Sequence, residues 1–517
     1  MIKYEIKDRL QSCLKKNNYP ETERLFLDRP KQANHGDFST NYALMLSKTL
    51  KKNPKEIAED ISNLINTDSN LSKDLSVTPL NGFINIQLQD TYLEACLKEV
   101  LDQKSPFPNT QERILLEFIS ANPTGPLHIG HGRWAVIGDV LSRILKRIGI
   151  TVSTEFYIND AGNQIQLFYD SIEAVRQGNP VPESGYHGAY VHDLAKSDQD
   201  AIEAVLDQQK RVLDMLDVTV DNWFSEKTLH EAGAVSEVLS FLEEKGVVYK
   251  KEDAIWFKTT DFGDDKDRVL VKSDGAYTYF AVDVAYHYTK IKRNYDQLIT
   301  ILGADHHGYV HRLNAAVTAL SDKEAQINDF FHVLIGQLVN LFRAGEPVRM
   351  SKRTGEMITL EEVVNEIGAD AVRFFLIQKS MDTHIDFDLE LAKQKSSDNP
   401  VYYVQYAHAR ISSVFRKLPY NGDLPTALSF DPKERALVFH LIRFNAEVYD
   451  AAMAFQPYRV AQYLLDMARL FHGFYEHCPI LKASPEDQQR RLFILHQTKR
   501  VFQEGLSLLG VTAPEQM

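Results

Sequence analysis

Ser120-Ala121-Asn122-Pro123-Thr124-Gly125-Pro126-Leu127-His128-Ile129-Gly130-His131-Gly132-Arg133 constrains this chain more than any other stretch. The run before it, residues 114–119, is continuous, mostly apolar and bounded by turn residues, as a short buried strand is. After it, residues 134–145 carry apolar side chains at helical spacing. The segment therefore reads as strand, Pro/Gly-rich loop and helix, with two histidines where the helix begins. Exposed N–H groups at a helix start attract anions, and a loop of small residues lets a nucleotide approach closely. Histidines placed there can donate hydrogen bonds to a phosphate whose charge grows in a transition state. A structural strand–turn–helix with incidental histidines is the alternative.

The chain around this stretch divides into three. Residues 1–108 carry helical patterns over 2–16, 41–47 and 54–66 and a strand-like alternation over 82–88, so an α+β unit is expected, followed by a linker near 103–109. From 109 to 395 strands and helices alternate, the pattern of a parallel sheet with helices on both faces. Candidate strands are 114–119, 151–158, 254–258, 268–272, 297–302 and 331–335, with a helical insertion near 171–221 that contains Gly185-Tyr186-His187-Gly188-Ala189-Tyr190. From 396 to 517 strand patterns vanish. Helices are expected over 402–418, 432–452, 458–476 and 485–509, a bundle. Arg410, Arg416, Lys417, Arg490, Arg491, Lys499 and Arg500 recur in it, either as a solvated face or as an RNA-binding group.

A net charge of −13 argues against a surface generally coated with nucleic acid, though not against a local basic face. Cys13, Cys96 and Cys478 are too far apart for a disulfide framework or a C-x-x-C metal site, so a reducing cytoplasm is the expected home. The first residues lack the apolar core of a signal peptide, and the most apolar later stretch, 330–342, is too short and too polar to span a bilayer.

Four sites in the middle unit can carry chemistry. Glu117 sits in an apolar strand, where an unpaired carboxylate is costly; it is a structural ion pair or it faces a cationic substrate. Tyr279 and Asp283 are four residues apart in a helical pattern, so one face presents a phenol and a carboxylate. That pair suits a guanidinium or ammonium, or the two groups bond each other. Gly303-Ala304-Asp305-His306-His307-Gly308 follows an apolar run and marks a ligand loop at the sheet's carboxyl edge. Adjacent histidines point apart and no spaced third ligand is evident, so no structural zinc is expected. Finally, Arg349-Met350-Ser351-Lys352-Arg353-Thr354-Gly355-Glu356 is a basic loop before a helix expected to begin near Leu360. Such a loop can neutralise a triphosphate or serve as an exposed turn.

Together these pieces resemble a known family. His128-Ile129-Gly130-His131 and Met350-Ser351-Lys352 resemble the paired motifs of class I aminoacyl-tRNA synthetases. The longer stretch 120–131, the segment Gly303–Gly308, Tyr402-Tyr403-Val404-Gln405-Tyr406-Ala407-His408-Ala409-Arg410 and Leu509-Gly510-Val511-Thr512-Ala513-Pro514-Glu515 are similar to arginyl-tRNA synthetases in particular. His35-Gly36-Asp37-Phe38 and Gly82-Phe83-Ile84-Asn85 resemble that family's added N-terminal domain. Arg349 stands where a lysine is usual, Arg353 where a serine is usual, and Leu80-Asn81 where a glycine–proline pair is usual.

The resemblance implies a Rossmann-like catalytic domain between an α+β added domain and an all-α anticodon-binding bundle. It implies ATP and magnesium, arginine and tRNA(Arg) as partners, a cytoplasmic monomer, and arginine activated only once tRNA is bound. His128, His131 and Lys352 would be catalytic. ATP would be bound by these three with Pro123, Gly125, Gly130, Gly303, Asp305, His306 and Met350; Gly130 would leave room for adenine. Glu117, Asn122, Glu226, Tyr279, Asp283 and His306 would surround arginine, with Asn122 at its backbone. Phe83, Asn85, Tyr406 and Arg410 would touch tRNA. The rival readings are a class I synthetase for another amino acid and a paralogue that binds tRNA without turnover. The carboxylate set opposes the first, and intact His128, His131 and Lys352 oppose the second.

Overall fold

The computed structural model describes residues 1–20, 25–30, 32, 35–100, 107, 110–321, 327–348, 358–422 and 429–517. Five parallel strands carry the central sheet, in the order Asn222–Ser225, Thr151–Ile158, Arg113–Glu117, Gln297–Gly303, Phe331–Gly336. Runs such as Ile114-Leu115-Leu116 suit strands covered on both faces by helices. Strand order reverses between Arg113–Glu117 and Gln297–Gly303, and in open α/β sheets ligands bind outside the carboxyl ends of strands at such a point. Glu117 ends the first of these strands and Gly303 the second.

The helix Ile129–Arg147 covers the sheet with Val136, Ile137, Val140, Leu141 and Ile144, all at most 1% exposed. It lies so close that a Cβ at Gly138 would stand 2.2 Å from the Phe118 ring. One sequence expectation fails here, and one strand is unforeseen. The segments Ala254–Phe257 and Arg268–Val271 are strands, but with Val248–Lys251 they form a separate antiparallel sheet rather than part of the parallel one. The parallel edge strand Asn222–Ser225 is not among the strands expected from the sequence.

The helices Asn163–Arg176, Ala189–Ala195 and Ala201–Met215 lie between the second and third strands of the sheet in chain order, where an insertion is expected. Past the sheet, the helix Leu360–Ile367 starts at the expected residue, with Thr359 and Glu362 forming a reciprocal capping box.

The first domain pairs Phe38–Thr40, Leu75–Leu80 and Phe83–Leu88 in an antiparallel sheet. Asn81 and Gly82, both at positive φ (52° and 85°), make the two-residue turn that presents Phe83. This domain docks on the helical one. Buried Asp37 accepts Leu88 N–H at 2.7 Å and both terminal nitrogens of Arg435, while Phe38 meets Phe439 edge-on.

The helical domain runs through Pro400–Lys417, Pro432–Ile442, Phe444–Met453, Tyr458–His477 and Pro485–Leu508. The single helix expected over 432–452 is broken at Arg443. Several basic residues of the expected RNA-binding group are engaged internally. Arg490 and Arg491 both hold fully buried Glu434, Lys499 pairs with Glu515, and Arg416 donates to the Glu515 carbonyl. The chain end is tied back to helices of the catalytic domain. Buried Arg373 bonds the Leu509 carbonyl at 2.7 Å and pairs with Asp139 of the helix Ile129–Arg147, and a Cβ at Gly510 would meet its guanidinium at 2.3 Å.

Candidate active site

A cleft of about 1260 Å³ opens at the switch point, walled by the 119–128 loop, the helix Tyr279–Lys292, the 303–309 turn and the insertion. The chain leaves the central strand through a tight turn. Ile119 sits at φ 73° and Ser120 at φ 44°, with Ser120 N–H bonded to the Phe118 carbonyl at 3.0 Å. A β-branched residue in that conformation is strained by roughly 1–3 kcal/mol, a cost that structures tend to tolerate at working sites. The turn aims the Ser120 hydroxyl at Glu117 (2.8 Å) and lets its oxygen accept Tyr157 N–H (3.2 Å).

At the inner end the cleft is acidic. Glu117, 5% exposed, pairs with Lys290, which is 1% exposed, and accepts the Thr300 hydroxyl at 3.3 Å. Glu117 is thus both ion-paired and cleft-lining, so the two sequence readings of it are not exclusive. Glu226, also 5% exposed, accepts the Tyr157 hydroxyl at 2.7 Å; burial pushes its carboxyl up, against the pull of Tyr157 and His230. Asp283 accepts the Tyr309 hydroxyl. Burial, with repulsion from Glu117 and Glu226 added, raises its carboxyl to about 7 in spite of Tyr309 and Lys290.

Behind them, Glu155 is held ionised near 2 although burial opposes it, because Arg293 grips it with two bonds (2.6 and 2.9 Å), aided by Lys290 and Tyr286. Glu117 pairs with the Lys290 ammonium, which also acts on Asp283, while Glu226 lies 3.7 Å from His230; a cation bound in the cleft would balance the three carboxylates. Tyr279 does not bond Asp283; its ring is 63% exposed at the cleft edge beside Gly162, and Tyr309 takes the partnership expected of it.

At the outer end, His128 caps the helix Ile129–Arg147. His128 Nδ1 accepts His131 N–H at 3.3 Å and His131 Nδ1 accepts His128 N–H at 3.2 Å, with the rings stacked 3.6 Å apart. A ring nitrogen that accepts carries no proton, so each imidazole keeps its proton on Nε2. A Cβ at Gly130 would lie 3.0 Å from the His128 ring, so the absence of a side chain here gives the histidine room. Gly303 likewise makes room for Trp134 and for Asp305, whose side chains a Cβ would approach to 2.7 and 2.6 Å.

Asp305 and His306 line the cleft with largely exposed side chains 3.6 Å apart. Asn122, Gly125, His128 and His131 line it too, whereas Pro123 is buried beneath the loop. Met350 and Lys352 lie outside the described residues, as do Arg349 and Arg353. The helix start beyond them is tied to the first loop: Leu360 N–H bonds the Leu127 carbonyl at 2.8 Å, and the Leu360 side chain fills the space over Gly132.

Away from the cleft, Phe83 is 43% exposed, while Asn85 is 5% exposed with its oxygen accepting the Ser39 hydroxyl at 2.8 Å. Tyr406 stacks between Tyr402 and His472, and Arg410 lies 4.2 Å above the Tyr475 ring.

The family models that match this chain tile almost all of it. The arginyl-tRNA synthetase N-terminal domain matches residues 1–88, the class I (R) tRNA synthetase catalytic domain 95–184 and 190–412, and the DALR anticodon-binding domain 404–517. An arginine–tRNA ligase of Shouchella clausii is 40% identical over 96% of this chain and 95% of its own length. The chain belongs to the arginyl-tRNA synthetase family. Another member, the arginine–tRNA ligase of Carboxydothermus hydrogenoformans, is 41% identical over 95% of this chain and 94% of its own. The Thermus thermophilus arginyl-tRNA synthetase structure shares the fold, with a TM-score of 0.82 over the full length of both chains at 24% identity.

For a member of this family, several residues of the cleft leave no mark in the sequence. Tyr157, Tyr309 and Lys290 come from three elements, and only their convergence on Glu226, Asp283 and Glu117 distinguishes them from core residues. A lysine within the helical pattern of 279–292 could have been paired with Glu117 as its neutralising partner, which is the one signal available.

Proposed function

We infer that this chain is an arginine–tRNA ligase, which uses ATP to activate arginine and passes it to the 3′ end of tRNA(Arg). The observation that carries the amino-acid assignment is that Glu117, Glu226 and Asp283 all line the cleft at the sheet's switch point. A guanidinium offers donors in a planar fork that fits two acceptors at once. Asp283 and Glu226 can serve as those acceptors, with Tyr279 and His306 nearer the mouth. A site of buried acceptors rejects analogues lacking the donors by roughly 10⁴–10⁵-fold, so no editing domain is required.

With arginine seated there, Asn122 lies toward the amino-acid backbone and the histidine pair toward the α-phosphate of ATP. The arginine carboxylate oxygen attacks that phosphorus; the new P–O bond forms as the bond to pyrophosphate breaks. The Nε2–H groups of His128 and His131, at a helix N-terminus, stabilise the charge gathering on the α-phosphate. Lys352 and Met350 act from the second loop on the departing pyrophosphate, and Gly125, Gly303, Asp305 and His306 border the nucleotide. In the second step a ribose hydroxyl of the terminal tRNA adenosine attacks the arginyl carbonyl, and AMP leaves. No protein nucleophile is needed; the rate comes from positioning and charge.

Among the described residues, no three His, Cys, Asp or Glu side chains converge as a cage for a cation. Magnesium that accompanies ATP would be held largely by the triphosphate's own oxygens, which need no dedicated cage of protein ligands. Exposed Phe83 offers a stacking face to the outer corner of tRNA, with the Asn85 amide behind it, and the Tyr406 hydroxyl and the Arg410 guanidinium can meet the anticodon stem and loop from an aromatic patch shared with Tyr402, His472 and Tyr475. One chain carries both RNA-facing units and the cleft, which supports action as a monomer. The free thiols of Cys13, Cys96 and Cys478 suit the cytoplasm. Among the described residues no helix is long and apolar enough to cross a membrane.

The test is aminoacylation of total tRNA with each amino acid, beside pyrophosphate exchange with and without tRNA. Arginine alone should be charged, and exchange should require tRNA. Charging by lysine or cysteine in place of arginine would overturn the amino-acid assignment; tRNA binding with no charging at all would overturn the enzyme.

A further inference from the structure

The helical insertion holds the loop that carries Asn122. Gln209, 1% exposed in the helix Ala201–Met215, donates from Nε2 to the carbonyls of Asn122 at 3.2 Å and Gly125 at 3.0 Å. The Tyr190 hydroxyl donates to the Thr124 carbonyl at 3.0 Å, and a Cβ at Gly125 would stand only 3.3 Å from that hydroxyl. The loop backbone is thus clamped at three points: Asn122, Thr124 and Gly125.

Gln164, at the start of the helix Asn163–Arg176, adds a side-chain contact. Asn122 Nδ2 donates to Gln164 Oε1 at 2.8 Å, and both residues line the cleft.

We propose that Gln164 is a positioning residue for amino-acid recognition: by engaging the Asn122 nitrogen it leaves Asn122 Oδ1 to receive the substrate's α-ammonium. An asparagine amide has one donor end and one acceptor end, and an unrestrained side chain presents either. An ammonium has only donors, so only the oxygen end serves it. The bond to Gln164 consumes the wrong end. Gln209 and Tyr190 hold the backbone beneath, so that the amide cannot escape by rotating the loop. The Gly185–Tyr190 segment, unexplained by the sequence, thereby becomes part of the wall that supplies this clamp. Gln164 is exposed and makes its contact at the cleft surface, so its replacement leaves the core untouched.

The inference rests on the reading that Asn122 meets the α-ammonium of arginine, and the experiment separates the two. Full-length enzyme is assayed by tRNA aminoacylation for the arginine KM, and for inhibition by 5-guanidinopentanoate, which is arginine without the α-ammonium. Gln164→Leu should raise the arginine KM about tenfold while the inhibition constant of the analogue moves by less than about twofold, since only one charge-assisted bond is lost. Gln164→Glu keeps an acceptor for Asn122 Nδ2 and should stay within about threefold of the parent. In Asn122→Ala, adding Gln164→Leu should cost nothing further, as expected of residues acting through one bond. An unchanged arginine KM in Gln164→Leu, equal losses for arginine and analogue, or a glutamate variant as weak as the leucine one would each overturn the proposal. A parent enzyme that binds arginine no better than the analogue would instead strike at the Asn122 reading.

Discussion

At the inner end of the cleft Glu117, Glu226 and Lys290 are no more than 5% exposed and all are engaged by neighbours; at the outer end the Asp305 and His306 side chains are 76% and 53% exposed and stand 3.6 Å from each other. The inner end is finished before substrate arrives. Tyr157, Tyr309, Ser120 and Thr300 hold its carboxylates, and a lysine partly balances them. The outer end has fixed donors in the histidine pair but leaves the nucleotide's sugar side open. The difference stems from what each must do. Selecting one side chain among many needs rigid, desolvated acceptors, whereas ATP needs to be gripped and its product released.

The largest effect expected from breaking this contrast is on folding. Lys290→Met should destabilise the catalytic domain by about 3–5 kcal/mol, because it strands the Glu117 charge in the interior. Urea unfolding measures this, and the double variant Glu117→Gln/Lys290→Met should recover most of the loss. No loss in the single variant would mean that Glu117 is not held by charge.

Next in size, Asp283→Asn should raise the arginine KM roughly 100-fold, the weight of a lost charge-assisted pair, and shift the ATP KM by less than about threefold. Equal effects on both would erase the division between the two ends.

The pH dependence sharpens the same division. Folded Asp283 keeps its proton to about pH 7, whereas an unfolded aspartate releases it near 4. Between these values the folded state binds more protons, so this group's contribution to stability falls as pH rises. Arginine binding needs the ionised form, so its affinity should rise with pH across the window and level off above 7. Calorimetric titration of arginine with the tRNA-bound enzyme from pH 5.5 to 8 checks it. A profile that is flat in the parent, or unaltered in Asp283→Asn, would remove Asp283 as the cause.

The smallest effect belongs to the outer end. Asp305→Asn should raise the ATP KM only about threefold, and should alter unfolding free energy by less than about 0.5 kcal/mol, as for other exposed substitutions. A large stability loss would show that this end is as preorganised as the other.

Local patterning made much of this legible. Residues 2–16 and 151–158 fall on a helix and a strand with the expected ends, and the helix at Leu360 starts where its capping residues say. What periodicity could not assign was partnership. The strands Ala254–Phe257 and Arg268–Val271 alternate like any others, and alternation does not show that they pair with each other and with the adjacent Val248–Lys251 instead of joining the parallel sheet. Arg490 and Arg491 look like RNA ligands until Glu434 is found buried between them. Asp37 of the His35–Phe38 motif holds Arg435 of the helical domain, so this part of the motif serves the seam between two domains.

By itself the sequence determined the division into three units, the strand–loop–helix around His128 and His131, and the family. Each of these depends on residues close together in the chain or on motifs recognisable one at a time. Only the tertiary structure decided how the carboxylates are shared out: Glu117 to Lys290, Glu226 to Tyr157, and Asp283 to Tyr309 rather than Tyr279. It also brought the Asn122 amide nitrogen to Gln164 across the mouth of the cleft. A buried charge or an amide gets its meaning from the group opposite it, and that group arrives from elsewhere in the chain when the sheet closes.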